Sequence, residues 1–132
     1  THRTFAGRFM ADSFGSSVQH IAFQTNDILR TAERLKGKDF NALKIPENYY
    51  LDLASRFGLS DDVVKMLSGL NVMYDRDDDG EYFQLFSEPY GEGFFFEIVE
   101  RRGAYNAYGG ANSPYRTAAQ KRLIRPASVP RR

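Results

Sequence analysis

Only two histidines occur in the 132-residue sequence, and one of them, His20, sits in an alternating run that suits a β-strand. Far along the chain, Glu97 occupies a second such run among phenylalanines. A histidine and a carboxylate facing one cavity suit a divalent transition metal, above all the two-histidine, one-carboxylate arrangement of non-haem Fe(II). The same residues carry blander readings. A lone histidine in a strand is more often a hydrogen-bonded structural residue, and Glu97 could pair with Arg101 or Arg102. Cysteine is absent, which excludes disulfides and thiolate-metal sites.

Whether His20 and Glu97 meet depends on the strands that carry them. A strand over residues 18–24 puts Ile21 and Phe23 on one face of its pleat and Val18, His20 and Ala22 on the other. Residues 81–86 separate Tyr82, Gln84 and Phe86 from Phe83 and Leu85, and residues 94–99 group Glu97 with Phe95 and Val99. His20, Gln84, Phe86 and Glu97 thereby gather on one sheet face, away from each strand's strongest apolar residues. The opposite face is greasy and can pack on helices.

Those helices are legible from caps and apolar stripes. Asn26 suits the N-cap of a helix bearing Ile28, Leu29, Ala32 and Leu35, with Gly37 as its stop. A short strand is expected over residues 42–45. Pro46 then opens a helix with Tyr50, Leu53, Ala54 and Phe57 on one side, and Gly58 ends it. Ser60 caps a third carrying Val63, Val64, Leu67 and Leu70. From Val72 the period is that of strands. Residues 75–80 have hairpin-turn composition, with Gly80 expected at positive φ, and Pro89, Gly91 and Gly93 mark a second turn. A Gly- and Tyr-rich loop over residues 103–112 precedes a short helix at about 114–123. The sum is an α+β domain with helices on one face of the sheet.

A hydrophobic content of 42%, with 14% aromatic residues, supports a packed core rather than disorder. The net charge of +1 gives no bulk attraction to nucleic acid or membrane, and no apolar run is long enough to span a bilayer. A cytoplasmic protein is the default, and a start at Thr1 without methionine suggests a piece of a longer polypeptide. Residues 75–80 imitate the start of an EF-hand loop, but Phe86 stands where that loop needs glutamate, so a solvated turn is expected. The basic residues Arg122, Arg125, Arg131 and Arg132 have no aromatic residue among them to stack a base and read as a solvated tail. Tyr105, Tyr108 and Tyr115 fit a lid, an interface or ordinary core equally well.

Several local sequences, in order along the chain, resemble 4-hydroxyphenylpyruvate dioxygenases of the vicinal oxygen chelate superfamily. Residues 18–23 with Thr25, Asn26, Asp27 and Ile28 look like that family's second-histidine motif. Pro46, Glu47, Asn48, Tyr49 and Tyr50 are similar to its Pro-x-x-Tyr-Tyr segment, and Gln84, Leu85 and Phe86 to its Gln-Ile-Phe strand. Residues 95–101 resemble its Phe-x-Glu strand, and Tyr108 to Asn112 its glycine-rich segment before a gate helix. The resemblance runs from about Gly15 to Gln120. It implies a single β-α-β-β-β module with a mixed sheet, and makes His20 and Glu97 ligands of Fe(II), with Mn or Co as substitutes. Gln84 and Phe86 would contact the substrate, and Asn112 would belong to the substrate-side lid. The implied chemistry joins a 2-oxo acid to dioxygen.

Three departures set this sequence apart. The first histidine ligand of the family comes from a preceding module, and His2, at the start of the chain, is a poor stand-in. Ser113 follows Asn112 where the dioxygenases carry a ring-stacking phenylalanine, and Glu100 replaces the usual glutamine beside Arg101. With Arg101 to Tyr105 and Ala118, Ala119 and Gln120, these features are closer to the C-terminal region of bifunctional 3-dehydroshikimate dehydratase fusions, whose dehydration chemistry lies in a separate barrel. The expected layout is a linker at 1–17, the dioxygenase-like module at 18–102, a loop and lid-like helix at 103–124, and a flexible tail at 125–132. A second module or a homodimer partner would complete the site, around a small-molecule substrate. The alternative is a non-catalytic structural or regulatory module of such a dehydratase.

Overall fold

The computed structural model describes residues 20–91 and 93–123. The expected linker and tail, and Val18 of the first strand, lie outside the described residues. Four strands, β1 (His20–Gln24), β2 (Met73–Arg76), β3 (Gly80–Phe86) and β4 (Phe95–Gly103), form one mixed sheet in the order β1-β4-β3-β2. β1 runs parallel to β4, and the other pairs are antiparallel. Between β1 and β2 lie α1 (Ile28–Leu35), α2 (Glu47–Phe57) and α3 (Asp61–Gly69). A 3-10 turn (Gly110–Asn112) leads from the last strand into α4 (Ser113–Leu123). Among the described residues no helix is long and apolar enough to cross a membrane.

The helix caps follow local chemistry with one correction. α1 is capped by Asp27 rather than Asn26, the Asp27 carboxylate accepting from Arg30 N–H at 3.1 Å. Glu100 of β4 adds a second acceptor, taking the Ile28 N–H at 2.8 Å, so a long-range carboxylate also holds the helix start. Ser60 caps α3 through the Val63 N–H, and Gly58 closes α2 in the left-handed conformation at φ +64. The greasy face of the sheet, with Phe83, Leu85 and Ile98, merges with Ile28, Leu53 and Leu67 into the main core.

Two strand expectations are corrected. Residues 42–45 form no strand. Ala42 makes a single bridge to Ser87, and Ile45 N–H turns away to Asn71 Oδ1. Gly80 does not take a positive φ. Its lack of a side chain serves close approach instead, because a Cβ there would collide with the Arg102 carbonyl across the β3–β4 ladder. The turn before it is organised by Asp77, whose carboxylate accepts from the Asp79 and Gly80 N–H groups at 2.9 Å each.

Candidate functional site

Register brings the chemistry together. The parallel β1–β4 ladder sets His20 opposite Phe95 and Ala22 opposite Glu97, so His20 and Glu97 project from the same face two pleat steps apart. The antiparallel β3–β4 ladder sets Phe86 opposite Glu97 and Gln84 opposite Val99, on that same face. His20 Nε2 lies 3.2 Å from Glu97 Oε1, and its ring stacks on Phe95 at 5.0 Å between centroids. Glu97 is buried, whereas the His20 side chain is 47% exposed. Arg101 and Arg102 are engaged elsewhere: Arg102 pairs with Glu100 at 2.7 Å, and Arg101 lies over Tyr82 and donates to the Ala107 carbonyl.

Glu97 is anchored from behind by a buried chain of hydrogen bonds. Gln84 Nε2 donates to Glu97 Oε2 at 2.9 Å, Asn112 Nδ2 donates to Gln84 Oε1 at 2.7 Å, and Tyr49 O–H donates to Asn112 Oδ1 at 2.8 Å. An ionised carboxylate only accepts, so it fixes the orientation of the Gln84 amide and, through that, of Asn112. Tyr49 also accepts from the Tyr74 N–H, tying the chain to β2. Burial pushes the Glu97 carboxyl up, but the bonds from His20 and Gln84 and the positive Arg116 outweigh it and hold its pKa below the ordinary value.

These groups open on a cavity of about 280 Å³. Of the residues singled out by sequence, His20, Glu97, Gln84 and Phe86 line it, whereas Asn112 is buried behind Gln84 and reaches the cavity only through it. The three tyrosines divide: Tyr105 is core and stacks on Tyr82, Tyr115 packs on Tyr49, and Tyr108 is exposed at the cavity rim. Arg116 also lines the cavity, and sequence reasoning passed over it. The available signal was its place one turn after Ser113 on the helix that follows the glycine-rich loop. A larger cavity, about 450 Å³, opens on the helix side near Leu35 and Leu70, but it holds none of these residues. Among the described residues no three His, Cys, Asp or Glu side chains cluster as metal ligands.

No protein-family model matches the chain. A 3-dehydroshikimate dehydratase of Pseudomonas aeruginosa is 45% identical over 123 residues, which is 92% of this chain and 19% of that protein. A 4-hydroxyphenylpyruvate dioxygenase of Caenorhabditis elegans is 36% identical over 104 residues, 74% of this chain and 26% of that protein. Among solved structures, a xylose isomerase-like TIM barrel/4-hydroxyphenylpyruvate dioxygenase fusion protein superposes with a TM-score of 0.75 at 45% identity, covering 80% of this chain and 17% of that one. The chain thus spans about a fifth of the length of the dehydratase relative it matches.

Proposed function

This chain is a homologue of the C-terminal regions of 4-hydroxyphenylpyruvate dioxygenase-like proteins, and on that premise we propose that it supplies half of a divalent-metal site. Its mixed four-stranded α+β sheet is of the vicinal-oxygen-chelate type. His20 and Glu97 are the ligands in this reading. One observation carries it: an imidazole nitrogen and a carboxylate oxygen stand 3.2 Å apart on one sheet face. Neighbouring ligands of an ion bound at about 2.0–2.2 Å sit at about this spacing. The donor set, neutral nitrogen plus anionic oxygen, suits Fe(II), with Mn(II) or Co(II) as substitutes.

Bound iron would supply the redox chemistry that couples a 2-oxo acid to dioxygen. The chain's own residues do the positioning. Gln84 holds Glu97 Oε2 so that Oε1 stays beside His20, a hydrogen bond of the kind that orients metal-binding carboxylates. Phe86 and Phe95 offer an aromatic wall for the substrate and keep water from it. The remaining donors come from a second module or a second copy. β1 supports this, since among the described residues it is an edge strand whose five residues are all exposed.

A second reading, a non-catalytic C-terminal module of a bifunctional 3-dehydroshikimate dehydratase, draws on a different feature of the same site. Glu97 already has His20 and Gln84 as partners, so the pair is self-sufficient as a structural contact. Metal content decides between them. After incubation with Fe(II), Mn(II) or Co(II), the chain should retain stoichiometric metal by elemental analysis, and His20→Ala should lose it. Absence of metal from both proteins would leave the non-catalytic reading standing.

A further inference from the structure

Arg116 faces the candidate site, and among the described residues no acidic side chain pairs with it. Its guanidinium carbon lies 5.3 Å from the Phe95 ring centroid and 5.6 Å from that of Phe86, against the aromatic wall of the cavity. Ser113, one turn earlier on α4, lines the same cavity with only a small side chain, which leaves room in front of the guanidinium. The ion pairs among the described residues are His20–Glu97, Arg56–Asp52 and Arg102–Glu100, and Arg116 belongs to none of them.

Its one hydrogen bond among the described residues runs from Nη1 to Gln120 Oε1 at 2.9 Å. Gln120 is itself buried, and its Nε2 has no partner among the described residues. Burial pulls the Arg116 pKa down, while the charge of Glu97 opposes that. A half-buried guanidinium that makes one hydrogen bond among the described residues is a ready partner for a carboxylate, which it can grip with two parallel hydrogen bonds. A cation on His20 and Glu97 would put two positive centres in one cavity, and the charge balance would then call for an anionic ligand. The volume of about 280 Å³ suits a compact molecule about one ring in size.

We propose that Arg116 makes this cavity a site for a compact ring-bearing acid, whose distal carboxylate pairs with the guanidinium while its chelating end faces His20 and Glu97. The chelating half rests on the metal reading above; the carboxylate half does not.

Calorimetry on the whole chain separates the two halves. Without metal, benzoate should bind about tenfold more tightly than benzyl alcohol, and Arg116→Met should abolish that preference. With Co(II) present, 4-carboxyphenylpyruvate should exceed phenylpyruvate by a similar factor, again only when Arg116 is intact. Co(II) uptake by Arg116→Met should be kept or strengthened, because a positive neighbour is gone. Arg116→Lys, which keeps charge but loses the fork, should retain part of the preference and guards against a misfolded Met variant. Failure to take up Co(II), with the benzoate preference intact, sinks the metal reading alone. Equal affinities within the benzoate pair, no binding of either member, or a preference that survives Arg116→Met overturns the role of Arg116.

Discussion

Gln84 donates its amide N–H to Glu97 Oε2 at 2.9 Å, and this bond decides which way the carboxylate faces. Replacing Gln84 by Leu leaves Glu97 Oε2 and Asn112 Nδ2 without their partner in a buried setting. Stranding buried polar groups costs about 1–3 kcal/mol each. Urea unfolding of Gln84→Leu should therefore show a loss in that range. Gln84→Glu should lose more, because it sets two carboxylates against each other.

Tyr49 lies three hydrogen bonds from Glu97 and can be tested as the far anchor of the same chain. Its hydroxyl accepts from the Tyr74 N–H and donates to Asn112 Oδ1. Tyr49→Phe keeps the ring that packs edge-on against Tyr50 and Tyr115 but leaves both groups unpaired. The expected cost is about 1–3 kcal/mol for each stranded group by denaturant unfolding. Metal retention should suffer less than in Gln84→Leu, since Gln84 still holds Glu97.

Gly109 is the place where the loop presses on this network. It sits at φ +66, and a Cβ there would run into the Gln84 side-chain oxygen and crowd the Tyr82 ring. Tyr105 secures the loop from the other side, its hydroxyl accepting the Gly109 N–H and donating to Asp75. Gly109→Ala combines left-handed backbone strain, about 1–2 kcal/mol, with displacement of Gln84. Stability should fall by at least that much, and metal retention should fall with it. Gly58→Ala provides the comparison. Gly58 has a similar φ of +64 with nothing near its added Cβ, so the same strain should appear there without any change at the site.

Much of this arrangement was legible because strands have a period of two. Alternation alone placed His20, Gln84, Phe86 and Glu97 on one face, and the ladders agree. Gly58 and Ser60 marked helix ends correctly because their roles are local. What escaped was long-range. Glu100 stood out only as a mild departure, replacing the usual glutamine beside Arg101, yet it caps α1 from 72 residues away. Gly80 was assigned to the turn by its type, while its real constraint is the backbone of Arg102 across the ladder. Asn112 could be placed before α4, but its burial behind Gln84 depends on where the whole loop lies. Arg116 was hidden for the same reason, since no local pattern distinguishes an arginine over a cavity from one in solvent.

The β1 edge yields the final prediction. β1 pairs on one side with β4, and its opposite edge carries no partner strand among the described residues. Ile21 is 38% exposed and Phe23 is 52% exposed, on the pleat face opposite His20. Among the described aromatic residues Phe23 meets the tilted ring of Phe96, at 6.0 Å between centroids. Free backbone groups and exposed apolar side chains at one edge favour pairing with another sheet. His20 lies on that edge strand, so a partner docked there would bring its own side chains next to the His20–Glu97 pair. Sedimentation of the chain should therefore show concentration-dependent dimerisation. The double variant Ile21→Asp, Phe23→Asp should be monomeric over the same range. Its unfolding free energy at low concentration should move by only about 0.5 kcal/mol per exposed substitution. Metal retention should become concentration-dependent in parallel with dimerisation if the second copy supplies the missing donors. Retention that ignores concentration in a dimerising chain would separate the pairing of the edge from completion of the site.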